Sequence, residues 1–215
     1  MIKLVMFDLD GTLVDSEIVI LKTFKHVFDK YFPNNNLSVK DCLMFLGPTL
    51  KQTFGNYTSN PEQIEEMIQE YVGYYKTIEL SLIKPFDKAK ETLMNLNKMG
   101  IKVVLGTSKF LSSALPSLKF CNLLENFDRL YTLNDVHEPK PEPEIVFKAM
   151  EEFNLNANEV MMVGDMPLDI LCGKNAGVFS VALSWSSKVE ECRSLNPSYE
   201  ISSLYEIIDI IKEIK

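Results

Sequence analysis

The sequence predicts an α/β protein with a parallel sheet and a helical segment inserted after the first strand. Short apolar runs rich in β-branched residues recur along the chain, with helical patterns between several of them. This alternation is typical of a parallel sheet. Strand-like patterning is absent from residues 15–84, where the periodicity is helical. The predicted strands are Ile2–Phe7, Ile101–Leu105, Arg129–Thr132, Val160–Val163 and Val178–Leu183.

The inserted segment is predicted to form a small helical domain. Turn signals at Gly47-Pro48 and Asn60-Pro61 separate its helices, and Lys84-Pro85 marks the return to the main domain. We therefore expect residues 1–14 and 85–215 to form the core and residues 15–84 to form the insertion. The predicted helices of the insertion are Glu17–Tyr31, Ser38–Phe45, Thr49–Phe54 and Pro61–Ile78. Two further helices are expected at Glu144–Phe153 and Ser203–Lys215.

The composition limits the possible partners and location. The chain has 215 residues, is 46% hydrophobic and has a formal net charge of -8. The acidic balance argues against nucleic acid and anionic membranes as partners. The apolar start reaches Asp8 too soon for a signal peptide, and no apolar run approaches membrane-spanning length, so we expect a cytoplasmic protein. The four cysteines are far apart and are expected to be free thiols.

Two aspartates directly follow the first predicted strand, in the run Asp8-Leu9-Asp10-Gly11-Thr12. The carboxyl ends of parallel strands are where ligands bind in such sheets. Acidic side chains two positions apart point the same way in a strand and repel each other unless a cation lies between them. An acidic turn in which Gly11 only supplies backbone freedom explains this motif, taken alone, about as well as a cation site does.

A second acidic pair follows the fourth predicted strand. Asp165 leaves that strand end, and Asp169 lies four residues later, one turn along the next helix. Carboxylates from two strands of one parallel sheet can therefore converge. Their mutual repulsion favours a bound Mg²⁺, since hard divalent cations prefer oxygen ligands.

Groups suited to a phosphoryl oxygen lie between these two pairs. Thr107 and Ser108 follow the second predicted strand and precede a helix, so a hydroxyl and backbone N–H groups can cradle an anion there. Lys140 lies in a proline-rich turn after the third predicted strand. Its position makes it the lysine expected to reach the same end of the sheet.

Taken together, these residues resemble the four motifs of the haloacid dehalogenase superfamily. The match in order, residue type and context covers nearly the whole chain, and the residues that carry it are Asp8, Asp10, Thr107, Lys140, Asp165 and Asp169. The resemblance implies a Rossmann-like core with residues 15–84 as a helical cap. It also implies a phosphohydrolase that uses Mg²⁺ and an aspartyl-phosphate intermediate.

The resemblance assigns a role to each motif residue. By that analogy Asp8 attacks phosphorus, and Asp10 protonates the leaving group and then activates water. Mg²⁺ is held by Asp8, the backbone carbonyl of Asp10 and Asp165, with Asp169 in support. Thr107, Ser108 and Lys140 bind the transferring phosphoryl group.

Two positions depart from relatives in the superfamily. Met166 stands where many members have Thr, Ser or Asn beside the motif aspartate, which removes a side-chain hydrogen bond and is expected to modify the order of the metal loop. The sugar-phosphate mutases of the β-phosphoglucomutase type are also similar, but Ile20 occupies their cap-histidine position. A mutase and a non-catalytic phospho-ligand-binding protein on the same fold remain the alternatives.

Three stretches outside the four motifs indicate the class of substrate: Phe45–Phe54, Leu133–Val136 and Gly173–Gly177. They resemble phosphoglycolate phosphatase-like proteins and, among these, the inorganic pyrophosphatases of the superfamily. The expected partner is therefore pyrophosphate or a small phosphate monoester such as phosphoglycolate, hydrolysed by a monomer or weak homodimer. The cap residues proposed to recognise it are Gly47, Thr49 and Lys51, with Lys51 as a point charge suited to a second phosphate.

Overall fold

The computed structural model describes residues 1–214 and confirms the α/β fold class. Six parallel strands form the main sheet, and two short antiparallel strands form a separate ribbon. The strands, in chain order, are β1 (Leu4–Phe7), β2 (Val14–Asp15), β3 (Lys84–Pro85), β4 (Lys102–Gly106), β5 (Arg129–Tyr131), β6 (Val160–Gly164), β7 (Phe179–Leu183) and β8 (Tyr199–Ile201).

Helices connect most of the parallel strands. Three short 3₁₀ segments accompany them at Lys40–Phe45, Leu124–Asn126 and Ala157–Glu159. The α-helices are α1 (Glu17–Tyr31), α2 (Leu50–Gly55), α3 (Pro61–Leu82), α4 (Ala89–Lys98), α5 (Leu111–Phe120), α6 (Glu144–Glu152), α7 (Pro167–Asn175), α8 (Val189–Ser194) and α9 (Glu206–Glu213).

The order of strands in the main sheet is β5-β4-β1-β6-β7-β8. This is the doubly wound order of dinucleotide-binding folds, in which the chain first builds outward on one side of β1 and then on the other. The reversal makes β1 the point where the connections diverge. Ligands in such sheets bind in the crevice at the carboxyl ends of the strands beside that point.

The centre of the sheet is apolar because helices cover both of its faces. Every residue of β1 and β6 is buried, as expected for strands that read as continuous hydrophobic runs. Burial of each such side chain stabilises the fold by about 1.5–3 kcal/mol. This packing fixes the strand ends, and hence the polar residues that follow them.

The chain divides into two compact units. One comprises Met1–Asp15 and Lys84–Lys215, and the other comprises Ser16–Ile83. The second unit has an aromatic centre in which Phe28 stacks on Phe45 with ring centroids 4.6 Å apart, and Phe24 lies 4.8 Å from Tyr71. The assignment of this unit as a cap for the catalytic core stays a prediction.

Several predicted elements differ from the structure. Ser38–Phe45 was expected to be an α-helix, but a 3₁₀ segment forms only from Lys40. The last helix, expected over Ser203–Lys215, spans α9, and Lys215 lies outside the described residues. The strand β8 was missed because its three residues include the exposed Glu200 and form no apolar run.

All four cysteines are free, as predicted, and all four are buried. Within residues 1–214, no helix combines the length and apolar character needed to cross a bilayer.

Candidate active site

The polar residues singled out in the sequence lie at the carboxyl ends of β1, β4 and β6. Phe7, the last residue of β1, is in register with Leu105 on one side and Val163 on the other. The next backbone N–H, that of Asp8, still donates to the Val163 carbonyl at 2.9 Å. Asp8 is therefore held by the sheet itself, at the point where the chain connections diverge.

Lys140 reaches this strand end from the loop between β5 and α6. Its Nζ donates to Asp8 Oδ1 at 2.7 Å, to Asp169 Oδ1 at 2.6 Å and to the Gly106 carbonyl at 3.1 Å. The side chain is only 4% exposed. Three acceptors match the three hydrogens of an ammonium group, so Lys140 is rigidly placed beside Asp8.

Three buried carboxylates converge around this lysine. Asp8, Asp165 and Asp169 each offer an oxygen, and these oxygens lie within 4.8 Å of one another. With all three ionised, Lys140 offsets one of their charges and an excess of two negative charges remains in a buried place. The possible ligand atoms are all oxygens, lie close together and carry two uncompensated negative charges. This arrangement fits a hard divalent cation such as Mg²⁺.

The third carboxylate of this group is fully engaged by hydrogen bonds. Asp169 accepts from Lys140 through Oδ1 and from the backbone N–H of Met166, at 3.0 Å, through Oδ2. This contact uses the main chain of Met166, so it does not depend on that side chain. Asp169 is therefore placed to hold Lys140 and the β6 loop.

The loops after β1 and β6 are in direct contact. Gly11 has a φ of +78°, and a Cβ on it would lie 2.2 Å from Asp165 Oδ2. Thr12 donates its hydroxyl to Asp165 Oδ1 at 3.2 Å, and Ser186 donates to the Asp165 carbonyl at 2.5 Å. Gly11 is thus required both by its backbone conformation and by the carboxylate packed against it.

Burial shifts the protonation equilibria of the cluster. It raises the pKa of Asp8 from 3.8 to about 7, with Lys140 opposing the shift and Asp169 adding to it. Burial, together with the charges of Asp169 and Asp8, also raises the pKa of Asp165 well above its usual range. Burial alone would lower the pKa of Lys140, but the carboxylates of Asp169 and Asp8 raise it overall. The cluster is thus short of positive charge.

Asp10 does not belong to the three-carboxylate cluster. Its Oδ1 lies 3.3 Å from Nζ of Lys109, a residue that sequence reasoning did not identify. Lys109 also donates to Ser117 Oγ at 3.2 Å, and its side chain is 12% exposed. The only available signal was a lysine two residues after Thr107 at a strand end. The two aspartates after β1 thus face different lysines.

Thr107 and Ser108 follow β4, as predicted. Thr107 is buried, its N–H donates to the Tyr131 carbonyl at 3.1 Å, and its Oγ accepts the N–H of Lys109 at 3.2 Å. Ser108 is half-buried beside it. Since Gly106 of the same strand end accepts from Lys140, this segment lies next to the lysine of the cluster.

The residues predicted to recognise substrate belong to the other compact unit. Gly47 has a φ of +108°, and Thr49 caps α2 by accepting the N–H of Gln52 at 3.3 Å. Lys51 is exposed in the first turn of that helix. Their role in substrate recognition stays a prediction.

Comparisons of the sequence with known proteins identify a family. The family model described as haloacid dehalogenase-like hydrolase matches residues 5–183. A protein named pyrophosphatase PpaX from Halalkalibacterium halodurans is 35% identical over 211 residues, which is 98% of this chain and 97% of that protein.

Solved structures are similar over the same length. A hydrolase of the haloacid dehalogenase-like family from Streptococcus pneumoniae superposes with a TM-score of 0.84 and 26% identity, covering 98% of each chain. A predicted phosphatase from Clostridium acetobutylicum gives a TM-score of 0.87 and 26% identity, covering 99% of each chain.

Proposed function

The chain belongs to the haloacid dehalogenase-like hydrolases, and from that premise we propose that it is a Mg²⁺-dependent phosphohydrolase that transfers the phosphoryl group to Asp8. The observation that carries the proposal is the environment of Asp8. This carboxylate lies at a strand end, 2.7 Å from the ammonium group of Lys140 and within the cluster of three buried carboxylates. A nucleophile for phosphorus must stay ionised and be positioned. Lys140 holds the Asp8 carboxylate and favours its ionised form, and a bound cation would offset the opposing charge of the neighbouring carboxylates.

The proposed cation ligands are Asp8, Asp165 and the backbone carbonyl of Asp10, with Asp169 in support. The charge of the buried cluster supports this set, because a divalent cation would neutralise its excess. When bound, Mg²⁺ would offset negative charge on the transferring phosphoryl group.

Each residue of the proposed site has its own role in the reaction. Asp8 forms a bond to phosphorus while the bond from phosphorus to the leaving oxygen breaks, and the electron pair stays on that oxygen. Asp10 gives a proton to the leaving oxygen and then takes one from a water molecule. The oxygen of that water bonds to the phosphorus, the bond between the phosphorus and Asp8 breaks with its electron pair staying on Asp8, and orthophosphate is released. Lys140, Thr107 and Ser108 bind the phosphoryl oxygens, with the Thr107 hydroxyl oriented by the Lys109 N–H that it accepts.

Pyrophosphate is the substrate we propose first. The 35% identical relative named as a pyrophosphatase supports it. A planar carboxylate such as that of phosphoglycolate is best bound by arginine, and residues 15–84 contain none. The chain's two arginines are paired with glutamates, Arg129 with Glu152 and Arg193 with Glu200. A substrate whose charge lysines can meet is therefore favoured.

Four buried free thiols are compatible with a reducing compartment, which supports the predicted cytoplasmic location.

Release of orthophosphate tests the proposal. Purified protein would be assayed with pyrophosphate, phosphoglycolate and p-nitrophenyl phosphate, with Mg²⁺ and with EDTA in excess. We expect phosphate release only with Mg²⁺, and a higher kcat/KM for pyrophosphate than for phosphoglycolate. Release that is unaffected by EDTA would contradict the metal requirement. A preference for phosphoglycolate would overturn the choice of substrate but not the reaction type.

A further inference from the structure

Lys109 is held in place by its backbone at the end of β4. Its N–H donates to Thr107 Oγ at 3.2 Å, and its carbonyl accepts from the N–H of Leu133 at 3.1 Å. Hydrogen bonds therefore fix the backbone of Lys109, although the residue lies outside the helices and strands.

The ammonium group of Lys109 is also positioned. Besides Asp10 Oδ1 at 3.3 Å, it contacts Ser117 Oγ at 3.2 Å. Ser117 donates its own hydroxyl hydrogen to the Ser113 carbonyl at 3.3 Å within α5, so it can act as an acceptor toward Lys109. A long side chain that is 12% exposed and contacts two oxygens is not a freely solvated surface lysine.

Each of the two aspartates that follow β1 therefore contacts a different lysine. Lys140 contacts Asp8, and Lys109 contacts Asp10. In the proposed reaction Asp8 meets the phosphorus that is transferred, whereas Asp10 meets the oxygen that leaves. The ammonium group of Lys109, which lies next to Asp10, is thus also next to the leaving group in the proposed reaction.

We propose that Lys109 is a specificity-determining residue that selects substrates whose leaving group carries negative charge, with a second phosphate as the preferred case. This inference rests on the proposed function. In pyrophosphate the leaving group bears charged oxygens adjacent to the oxygen that Asp10 protonates, so an ammonium group at Asp10 can bind them. A leaving group without charge before cleavage gains little from the same contact.

Asp8 and Asp10 supply the bond and the proton that the covalent step needs. The bond between the bridging oxygen and the transferred phosphorus breaks, a new bond forms from Asp8 to that phosphorus, and the Asp10 proton passes to the bridging oxygen. Orthophosphate leaves from beside Lys109. Lys109 supplies charge only and neither gains nor loses a proton.

The test compares Lys109→Met and Lys109→Arg with the wild-type protein on three substrates at one pH. Pyrophosphate and phosphoglycolate have charged leaving groups, and p-nitrophenyl phosphate has an uncharged one. Lys119→Met is the matched control, since Lys119 is exposed on the same helix as Ser117. Circular dichroism and thermal melting establish that each variant is folded.

We expect Lys109→Met to lose about 10- to 100-fold in kcat/KM toward the substrates with charged leaving groups and less than about threefold toward p-nitrophenyl phosphate, because charge-assisted hydrogen bonds are the strong ones. Lys109→Arg should recover most of the loss, and Lys119→Met should match the wild type. Equal losses on all three substrates, or no loss, would overturn the inference. So would a selective loss in Lys51→Met with none in Lys109→Met.

If Lys109→Met does not fold, the Ser117→Ala variant provides a second test of the inference. Removal of this hydroxyl should weaken the placement of Lys109 and reduce activity on pyrophosphate more than on p-nitrophenyl phosphate. A uniform effect would overturn the inference here as well. Failure of the proposed function is distinguishable, because the wild-type protein would then release no Mg²⁺-dependent phosphate from any substrate. If only the choice of pyrophosphate fails, phosphoglycolate still tests Lys109.

Discussion

Asp8 and Asp10 are two positions apart in sequence and differ in burial and in the lysine that each contacts. Asp8 is 7% exposed, contacts Lys140 and has a pKa raised by burial to about 7. Asp10 is half-buried and contacts Lys109 instead. Different surroundings allow two carboxylates to take different roles, here those of the proposed nucleophile and the proposed proton donor.

Replacement of Asp10 should be most harmful for poor leaving groups. An alkyl phosphate needs a proton on its leaving oxygen, whereas nitrophenolate is already a weak base. For Asp10→Asn we expect kcat/KM to fall by about 10²–10⁴ on an alkyl phosphate and by clearly less on p-nitrophenyl phosphate. Steady-state assays of both substrates would measure this, with Asp87→Asn, at an exposed position, as the control. Equal losses on both substrates would remove the proton-donor role.

At the residue scale the sequence indicated the candidates but not all of their neighbours. The order of the motif residues, together with strand-end positions, was enough to single out Asp8, Lys140 and Asp165. Lys109 was missed because, unlike Lys140, it lies outside the motif pattern, and nothing in the residues around it indicates its contact with Asp10. A lysine at the start of a loop gives no signal that its side chain turns back into the site.

At the scale of elements, the site is made by loops whose shape depends on the strands before them. The loop after β1 packs Gly11 against the Asp165 carboxylate of the loop after β6. Trp185 Nε1 donates to the Gly11 carbonyl at 3.0 Å, which fixes the same turn from the β7 side. Each loop therefore limits the positions available to the other.

Gly11→Ala tests this packing, and Gly100→Ala is a matched control. Both glycines have left-handed backbones, with φ of +78° and +75°, but a Cβ at Gly100 meets nothing within 4 Å. Both variants should lose about 1–3 kcal/mol of unfolding free energy from backbone strain, as measured by urea denaturation. Only Gly11→Ala should also lose activity, by at least about tenfold, because it displaces Asp165. Full activity in Gly11→Ala would show that the carboxylate position is not critical.

Most strands of the main sheet were predictable, including the three-residue β5, whereas several other short elements were not. The apolar runs that became β1, β4, β6 and β7 are long enough to show their character. The segment at Lys40–Phe45 became 3₁₀ rather than α, and β2, β3 and β8 have only two or three residues each. Such elements are set by tertiary packing, which local periodicity does not record.

At the scale of the whole molecule, strand order decides where the chemistry lies. The strands β4 and β6 lie on opposite sides of the central strand β1, and the chain connections run outward from β1 in both directions. The residues that follow these three strands therefore meet at one crevice. The parallel sheet could be predicted from the sequence, but the order of its strands could not. The division into residues 1–14 and 85–215 and an inserted cap stays a prediction.

A divalent cation should stabilise the whole protein more strongly at higher pH. The folded-state pKa of Asp8 is raised from 3.8 to about 7, so its contribution to stability is present below about pH 4 and is lost as pH rises through about 7. In the proposed site Mg²⁺ would bind the ionised cluster and offset this loss. We expect the Mg²⁺-induced rise in Tm to be larger at pH 8 than at pH 6, as measured by calorimetry.

Asp165→Asn is the control for this pH dependence, since it removes one charge of the cluster and should reduce the Mg²⁺-induced shift at both pH values. A Mg²⁺ effect that is the same at pH 6 and pH 8 would mean that the cation binds elsewhere.

The central claim is that Asp8 carries the phosphoryl group, and trapping that group tests it most directly. The protein would be quenched in acid during turnover of pyrophosphate with Mg²⁺, reduced with borohydride, which converts an aspartyl phosphate to homoserine, and analysed by peptide mass spectrometry. We predict homoserine at position 8 in the wild-type protein and none with EDTA. Turnover that leaves Asp8 unmodified, or a homoserine at another position, would contradict it.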